Sequence, residues 1–144
     1  MIDRPSERAE ALPTPEGEEA LAAFRAYAAA FGALDARGAA ACFDEPSILV
    51  TPRDRIAAAS RSEVERAYEA IMEEARRRGY AGTIFDHVEG RTLDAETEAV
   101  TGSGRWRNAA GNVLMRFELA YVFRRVGGAW RIVLGIVREV EEPS

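Results

Sequence analysis

Residues 113–125 read Val-Leu-Met-Arg-Phe-Glu-Leu-Ala-Tyr-Val-Phe-Arg-Arg, and after Gly127-Gly128 the run Trp-Arg-Ile-Val-Leu-Gly-Ile-Val follows over 130–137. Both runs read as long strands. The Gly-Gly pair between them suits a tight hairpin, because glycine accepts the positive φ that the favoured turns demand. By the two-residue period of a strand, Met115, Phe117, Leu119, Tyr121 and Phe123 share one face, and Arg116, Glu118, Ala120, Val122 and Arg124 share the other. On the partner strand Trp130, Ile132, Leu134 and Ile136 oppose Arg131, Val133, Gly135 and Val137. The larger apolar face should receive helices. The second face, with Val122, Val133 and Val137, is mixed and poorly suited to water, so a homodimer through this outer sheet face is expected.

Working outward, residues 83–93 and 97–107 read as two more strands, separated by Asp94-Ala95-Glu96, and 108–112 is a turn rich in Asn, Ala and Gly. Together these make a four-stranded antiparallel meander. Two helices precede it. The first is expected over 16–36, with Thr14 as N-cap and Pro15 at the first helical position. Leu21, Phe24, Tyr27, Ala28, Phe31 and Leu34 recur at three- and four-residue steps and mark its buried face. Gly38 ends it, and 39–43 makes a further short turn. Residues 47–51, bracketed by Pro46 and Pro52, read as a short edge strand, and 53–61 as a polar loop. The run Ser62-Glu63-Val64-Glu65 has capping-box spacing and starts the second helix. That helix ends at Arg76, Arg77 and Arg78, which complement the helix dipole, with Gly79 as C-cap. The fold class is therefore α+β, one domain over 16–144 behind a loosely docked tail, 1–15.

Bulk properties narrow the function classes. The chain has 144 residues, a net charge of −5, one cysteine and one histidine. That length supports one core without disulfides or metal. The acidic balance, with Glu interleaved among Arg, argues against nucleic acid as partner. No apolar run approaches the roughly 18 residues needed to span a bilayer, and the N-terminal residues lack the apolar stretch of a signal peptide. A cytoplasmic protein is expected. Cys42, alone, forms no intrachain disulfide and no cysteine zinc site.

The order of the pieces now matches a known pattern. A long amphipathic helix ends in Leu-Asp-Ala-Arg-Gly (34–38), Ala-Cys-Phe-Asp (41–44) follows, then a proline-flanked strand and a second helix. Gly-Arg-Trp-Arg (104–107), Tyr-Val-Phe-Arg-Arg (121–125) and Gly-Ala-Trp-Arg-Ile-Val (128–133) complete it. Over about 16–140 the chain resembles the SnoaL-like branch of the nuclear transport factor 2-like superfamily. The resemblance implies a cone or half-barrel: helices packed into the concave face of a curved, mainly antiparallel sheet of four to six strands, with a pocket at its wide end. It also implies frequent homodimers. It leaves function open, because isomerases, dehydratases, epoxide hydrolases, polyketide cyclases and non-catalytic binders share the scaffold.

Matched position by position, the ketosteroid-isomerase pattern is disfavoured. Thr51 stands where the resemblance implies a carboxylate base, and threonine cannot abstract a carbon-bound proton near neutral pH. Asp86 with Arg105 or Arg107 would supply part of an epoxide-hydrolase set, and Asp86 is the candidate acid of a cyclase. His87 is a candidate acid or base if it faces the cup, the chemistry imidazole side chains supply; the other reading is a packed or exposed strand histidine. Strand alternation puts Asp86 and His87 on opposite faces. Tyr27, Phe31, Phe43, Thr51, Met115 and Tyr121 are candidate ligand contacts, or core in the case of the rings, and Arg105 is a candidate contact for an anionic group. The expected ligand is a small apolar or weakly polar organic molecule, with no cofactor and no metal. Three readings stay open: a small-molecule binder, a cofactor-independent isomerase, dehydratase or hydrolase using His87 or Asp86 with a pocket tyrosine, and a dimeric interaction protein.

Overall fold

A computed structural model describes residues 16–141. The expected tail, 1–15, and the Thr14–Pro15 cap lie outside the described residues. Helix α1 (Glu18–Gly32) starts from Gly17, whose φ of 71° is open to glycine at little cost. It stops four residues before the expected end. Leu34 turns into the left-handed region, and the Asp35 carboxylate then accepts from the Gly38 amide, 2.9 Å away, to start the short helix α2 (Ala36–Ala40). Gly38 therefore opens the second helix and does not close the first.

Strand β1 (Phe43–Val50), strand β2 (Arg55–Ala58) and helix α3 (Arg61–Arg77) follow. The cap of α3 is Ser60, not Ser62: its hydroxyl accepts from the Glu63 amide at 3.3 Å, while the Glu63 carboxylate reaches back to the Ala59 amide at 2.9 Å. Strands β3 (Tyr80–Asp94), β4 (Thr97–Asn108), β5 (Val113–Val126) and β6 (Ala129–Val140) form the expected meander. The sheet has six strands in the order β2-β1-β6-β5-β4-β3. β1 pairs with β6 in parallel and every other pair is antiparallel. Two expectations are corrected here. β1 is an interior strand, and β2, expected as loop, takes the edge.

Helices α1 and α3 fill the hollow. Ala20, Phe24 and Tyr27 of α1 and Val64, Tyr68, Met72 and Ala75 of α3 are buried against Met115, Phe117, Leu119, Tyr121 and Phe123 of β5. This is the open, mostly antiparallel α+β cone that the resemblance implied. The face assignment holds throughout β5 but not along β6. Phe123 pairs with Ile132 and Val122 with Leu134, so Val133 is an inserted residue. Beyond that bulge the alternation changes phase. Gly135 and Val137 now lie opposite Tyr121 and Leu119 on the concave side, whereas Leu134 and Ile136 turn outward. The assignment of Val137 to the outer face, and of Leu134 and Ile136 to the inner, is thereby reversed.

Candidate functional site

The concave face is not completely filled. A cavity of about 350 Å³ lies between the helices and the sheet, a size within the ordinary range for small-ligand pockets. Phe24, Tyr27 and Phe31 come to it from one stripe of α1, Tyr68 and Ile71 from α3, and Met115, Phe117, Leu119 and Tyr121 from the inner face of β5. Thr83 and Phe85 of β3, Trp106 of β4 and Val137 of β6 complete the walls. Charged side chains gather at the exposed rim. Arg53 and Asp54 come from the turn between β1 and β2, Glu74, Arg77 and Arg78 from the end of α3, and Glu139 from β6. Arg77 donates to Glu74 at 2.7 Å and holds that carboxyl below its usual range. Arg78 donates to the Leu114 carbonyl at 2.8 Å.

Three tyrosines make the polar centre of this otherwise greasy space. The Tyr27 hydroxyl lies 2.8 Å from that of Tyr68 and 2.9 Å from that of Tyr121. The rings lean on one another, with centroids 5.1 Å apart for Tyr27 and Tyr121 and 5.9 Å for Tyr27 and Tyr68. Room for the Tyr121 ring comes from Gly135 on the neighbouring strand, since a Cβ there would stand 2.9 Å from the ring. Burial, reinforced by the neighbouring phenols, pushes Tyr27 and Tyr68 well above the ordinary tyrosine range, and burial raises Tyr121 too. All three are therefore neutral hydroxyls across physiological pH. Tyr68 and Tyr121 also hydrogen-bond each other, so the three hydroxyls form one mutual cluster at the cavity, and each can act as donor or acceptor.

Of the sequence-derived ligand contacts, Tyr27, Phe31, Thr51, Met115 and Tyr121 line this cavity. Phe43 does not: it is fully buried core, its ring in an edge contact with Tyr27 and a tilted contact with Tyr68. Arg105 is also elsewhere, on the convex face in an ion pair with Asp86. The two catalytic candidates lie outside the cavity, and a second bulge explains why. Phe85 pairs with Gly104 and His87 with Ser103, so Asp86 is an extra residue in β3. Phe85 and Val88 face inward, while Asp86 and His87 share the convex side, contrary to simple alternation. His87 is exposed and bonds Glu89 at 3.0 Å. The Cys42 thiol, raised by burial, rests on the Gly38 carbonyl at 3.6 Å, the setting of a packed side chain.

Sequence reasoning missed Tyr68, Phe85, Trp106 and Val137 as cavity residues. Tyr68 carried a signal, a phenol on the otherwise apolar stripe of α3; Val137 carried none, because the bulge at Val133 decides its face. Among the described residues no group of three or more His, Cys, Asp or Glu is placed to hold a metal ion. No described helix is long and apolar enough to cross a membrane.

No curated protein is detectably similar in sequence. Solved structures are similar in fold. A ketosteroid isomerase-like protein from Erwinia carotovora atroseptica superposes with a TM-score of 0.67 at 19% identity, over 88% of this chain and 97% of that one. An NTF2-like protein with a cystatin-like fold from Novosphingobium aromaticivorans gives 0.71 at 14% identity, over 88% and 83%. An NTF2-like protein from Pseudomonas putida gives 0.72 at 11% identity, over 88% and 87%. At such identities the likeness speaks to the fold alone. A family model described as NTF2-like protein (DUF6841) matches residues 18–140, most of the chain. With its helix-filled cone and six-stranded sheet, the chain belongs to this NTF2-like family.

Proposed function

We propose that the protein binds a small, largely apolar organic molecule bearing one hydrogen-bond acceptor, such as a ketone carbonyl, with the tyrosine cluster holding that acceptor. The carrying observation is the cluster of three neutral hydroxyls, Tyr27, Tyr68 and Tyr121, in a cavity otherwise walled largely by carbon. A hydroxyl can turn its proton from a neighbouring phenol to a ligand acceptor, and hydrogen-bonding to that acceptor favours it over a purely hydrocarbon guest. Binding is preferred to catalysis because the acids that line the cavity, Asp54, Glu74 and Glu139, belong to its rim, and His87 and Asp86 face away from it. A cavity of this size also argues against a cone that serves only as a scaffold.

Calorimetry with acetophenone and with ethylbenzene, a hydrocarbon of similar shape, tests the reading. The ketone should bind about ten-fold tighter to the native chain. The triple change Tyr27→Phe, Tyr68→Phe, Tyr121→Phe should remove that preference while leaving hydrocarbon binding in place. Equal binding of both compounds to the native chain overturns the proposal.

A second copy of the chain is the proposed partner of the convex face. After the β6 bulge, Ile48, Leu134 and Val122 form one cross-strand row and Val50, Ile136 and Ala120 the next, with Ile48 46% exposed. Such a patch is better covered than solvated. Sedimentation should give a dimer, and Ile136→Asp a monomer; a native chain that sediments as a monomer at high concentration overturns it.

A further inference from the structure

We infer that Phe85 is the movable wall of the cavity, the side chain that sets how long a ligand fits, and that Asp86 and Arg105 on the opposite face hold it in that role. The inference rests on the binding reading and deepens it. Phe85 is 37% exposed, whereas Phe24, Phe117 and Tyr121, which line the same cavity, are at most 6% exposed. Its ring meets Phe24 and Phe117 in edge contacts, with centroids 5.6 Å and 6.2 Å away. Directly across the strand pair lies Gly104, which puts no side chain beside it. The glycine is required by the crossing itself, since a Cβ there would stand 2.6 Å from the Ile84 carbonyl oxygen and 3.2 Å from the Phe85 Cα.

The ring therefore has freedom that Phe24, Phe117 and Tyr121 lack, and its backbone has a reason to move. Asp86, the next residue, is the inserted one, and a bulge loosens the local ladder. On its outside the bulge is tied by the Asp86–Arg105 ion pair, and Arg105 adjoins Gly104. Asp86 and Arg105 are thus positioning residues: they act on the ligand through the direction of Phe85. A short guest leaves the ring folded onto Phe24 and Phe117; a longer one displaces it.

Two measurements test this. In the first, phenyl alkyl ketones from acetophenone to hexanophenone are titrated into the native chain and its variants. Phe85→Ala should move the affinity optimum to a longer ketone, by about ten-fold per methylene accommodated. Phe85→Leu should lie between, Asp86→Ala should shift the optimum the same way, and Asp86→Glu should restore the native optimum. The second needs no ligand. The chain has two tryptophans, and in a Trp130→Phe background the cavity residue Trp106 is the one tryptophan left, so acrylamide quenching under selective tryptophan excitation reads access to the cavity. Phe85→Ala should raise quenching at unchanged secondary structure. Ketones that bind with the same optimum in native and Phe85→Ala proteins overturn the wall while the binding reading survives. Absent ketone binding with raised quenching overturns the binding reading and supports the wall. An Asp86→Ala variant with native optimum and native quenching overturns the positioning role.

Discussion

β5 and β3 are neighbours but one in the same sheet, 14 and 15 residues long, and they obey different rules. Along β5 every second residue from Met115 to Phe123 is buried. Along β3 the pattern is mostly exposed and breaks at Asp86. The difference is positional. β5 is paired on both sides, and its inner face carries the packing of both helices, so a slip of one residue would expose the whole core row. β3 is an edge strand with a partner on one side, and an inserted residue there disturbs a single ladder. Double pairing alone does not enforce regularity, since β6 is paired on both sides and still carries the bulge at Val133; the buried row of β5 does, and the cavity lies between that regular row and the irregular edge.

The sharpest way to break the comparison is to shorten a ring on each strand. Phe123→Ala, at a fully buried β5 position, should cost about 3–5 kcal/mol in urea unfolding. Phe85→Ala, at the exposed wall, should cost less than about 1.5 kcal/mol. Equal losses would show that β3 packs as tightly as β5. Next comes Gly104→Ala, which forces a methyl group to within 2.6 Å of the Ile84 carbonyl oxygen. About 1–3 kcal/mol should be lost, with a shift in the NMR resonances of Phe85. A smaller effect, about 1–2 kcal/mol, is expected of Tyr27→Phe, which deletes the hub of two buried hydrogen bonds.

The same cluster dictates an alkaline limit. The folded-state values of Tyr27, Tyr68 and Tyr121 are raised above those of the unfolded chain. Above about pH 10 the unfolded state alone releases these protons, so the stabilisation is complete below that pH and is lost as pH rises. Urea midpoints measured on the alkaline side should fall for the native chain and less steeply for the triple Tyr→Phe variant. Smallest of all is Asp86→Asn on the bulge. It removes a surface ion pair with Arg105 and should change stability by no more than about 1 kcal/mol, less at high salt.

How much was legible follows the same division. The alternation of β5, the Gly127-Gly128 turn and the helical stripe of Tyr27 and Phe31 are local patterns, and each was read correctly from spacing. Val137, Leu134, Ile136, Asp86 and His87 were assigned to faces by counting, and counting fails past an inserted residue. The Gly102-Ser103-Gly104 run hinted at close strand approach: a Cβ at Gly102 would lie 2.3 Å from the His87 carbonyl oxygen, beside the bulge. Which residue of β3 would be the extra one was not written there.

By itself, then, the amino-acid order determined the α+β class, the meander and the inward faces that carry Tyr27, Phe31, Met115 and Tyr121, because hydrophobic period and turn chemistry act over a few residues. Tertiary structure alone decided that Tyr27, Tyr68 and Tyr121 share one hydrogen-bonded cluster, since they come from two helices and a strand as many as 94 positions apart. It also decided that His87 and Asp86 face away from the cavity. Both outcomes depend on the register between strands, and register is settled by the core that all the elements bury together.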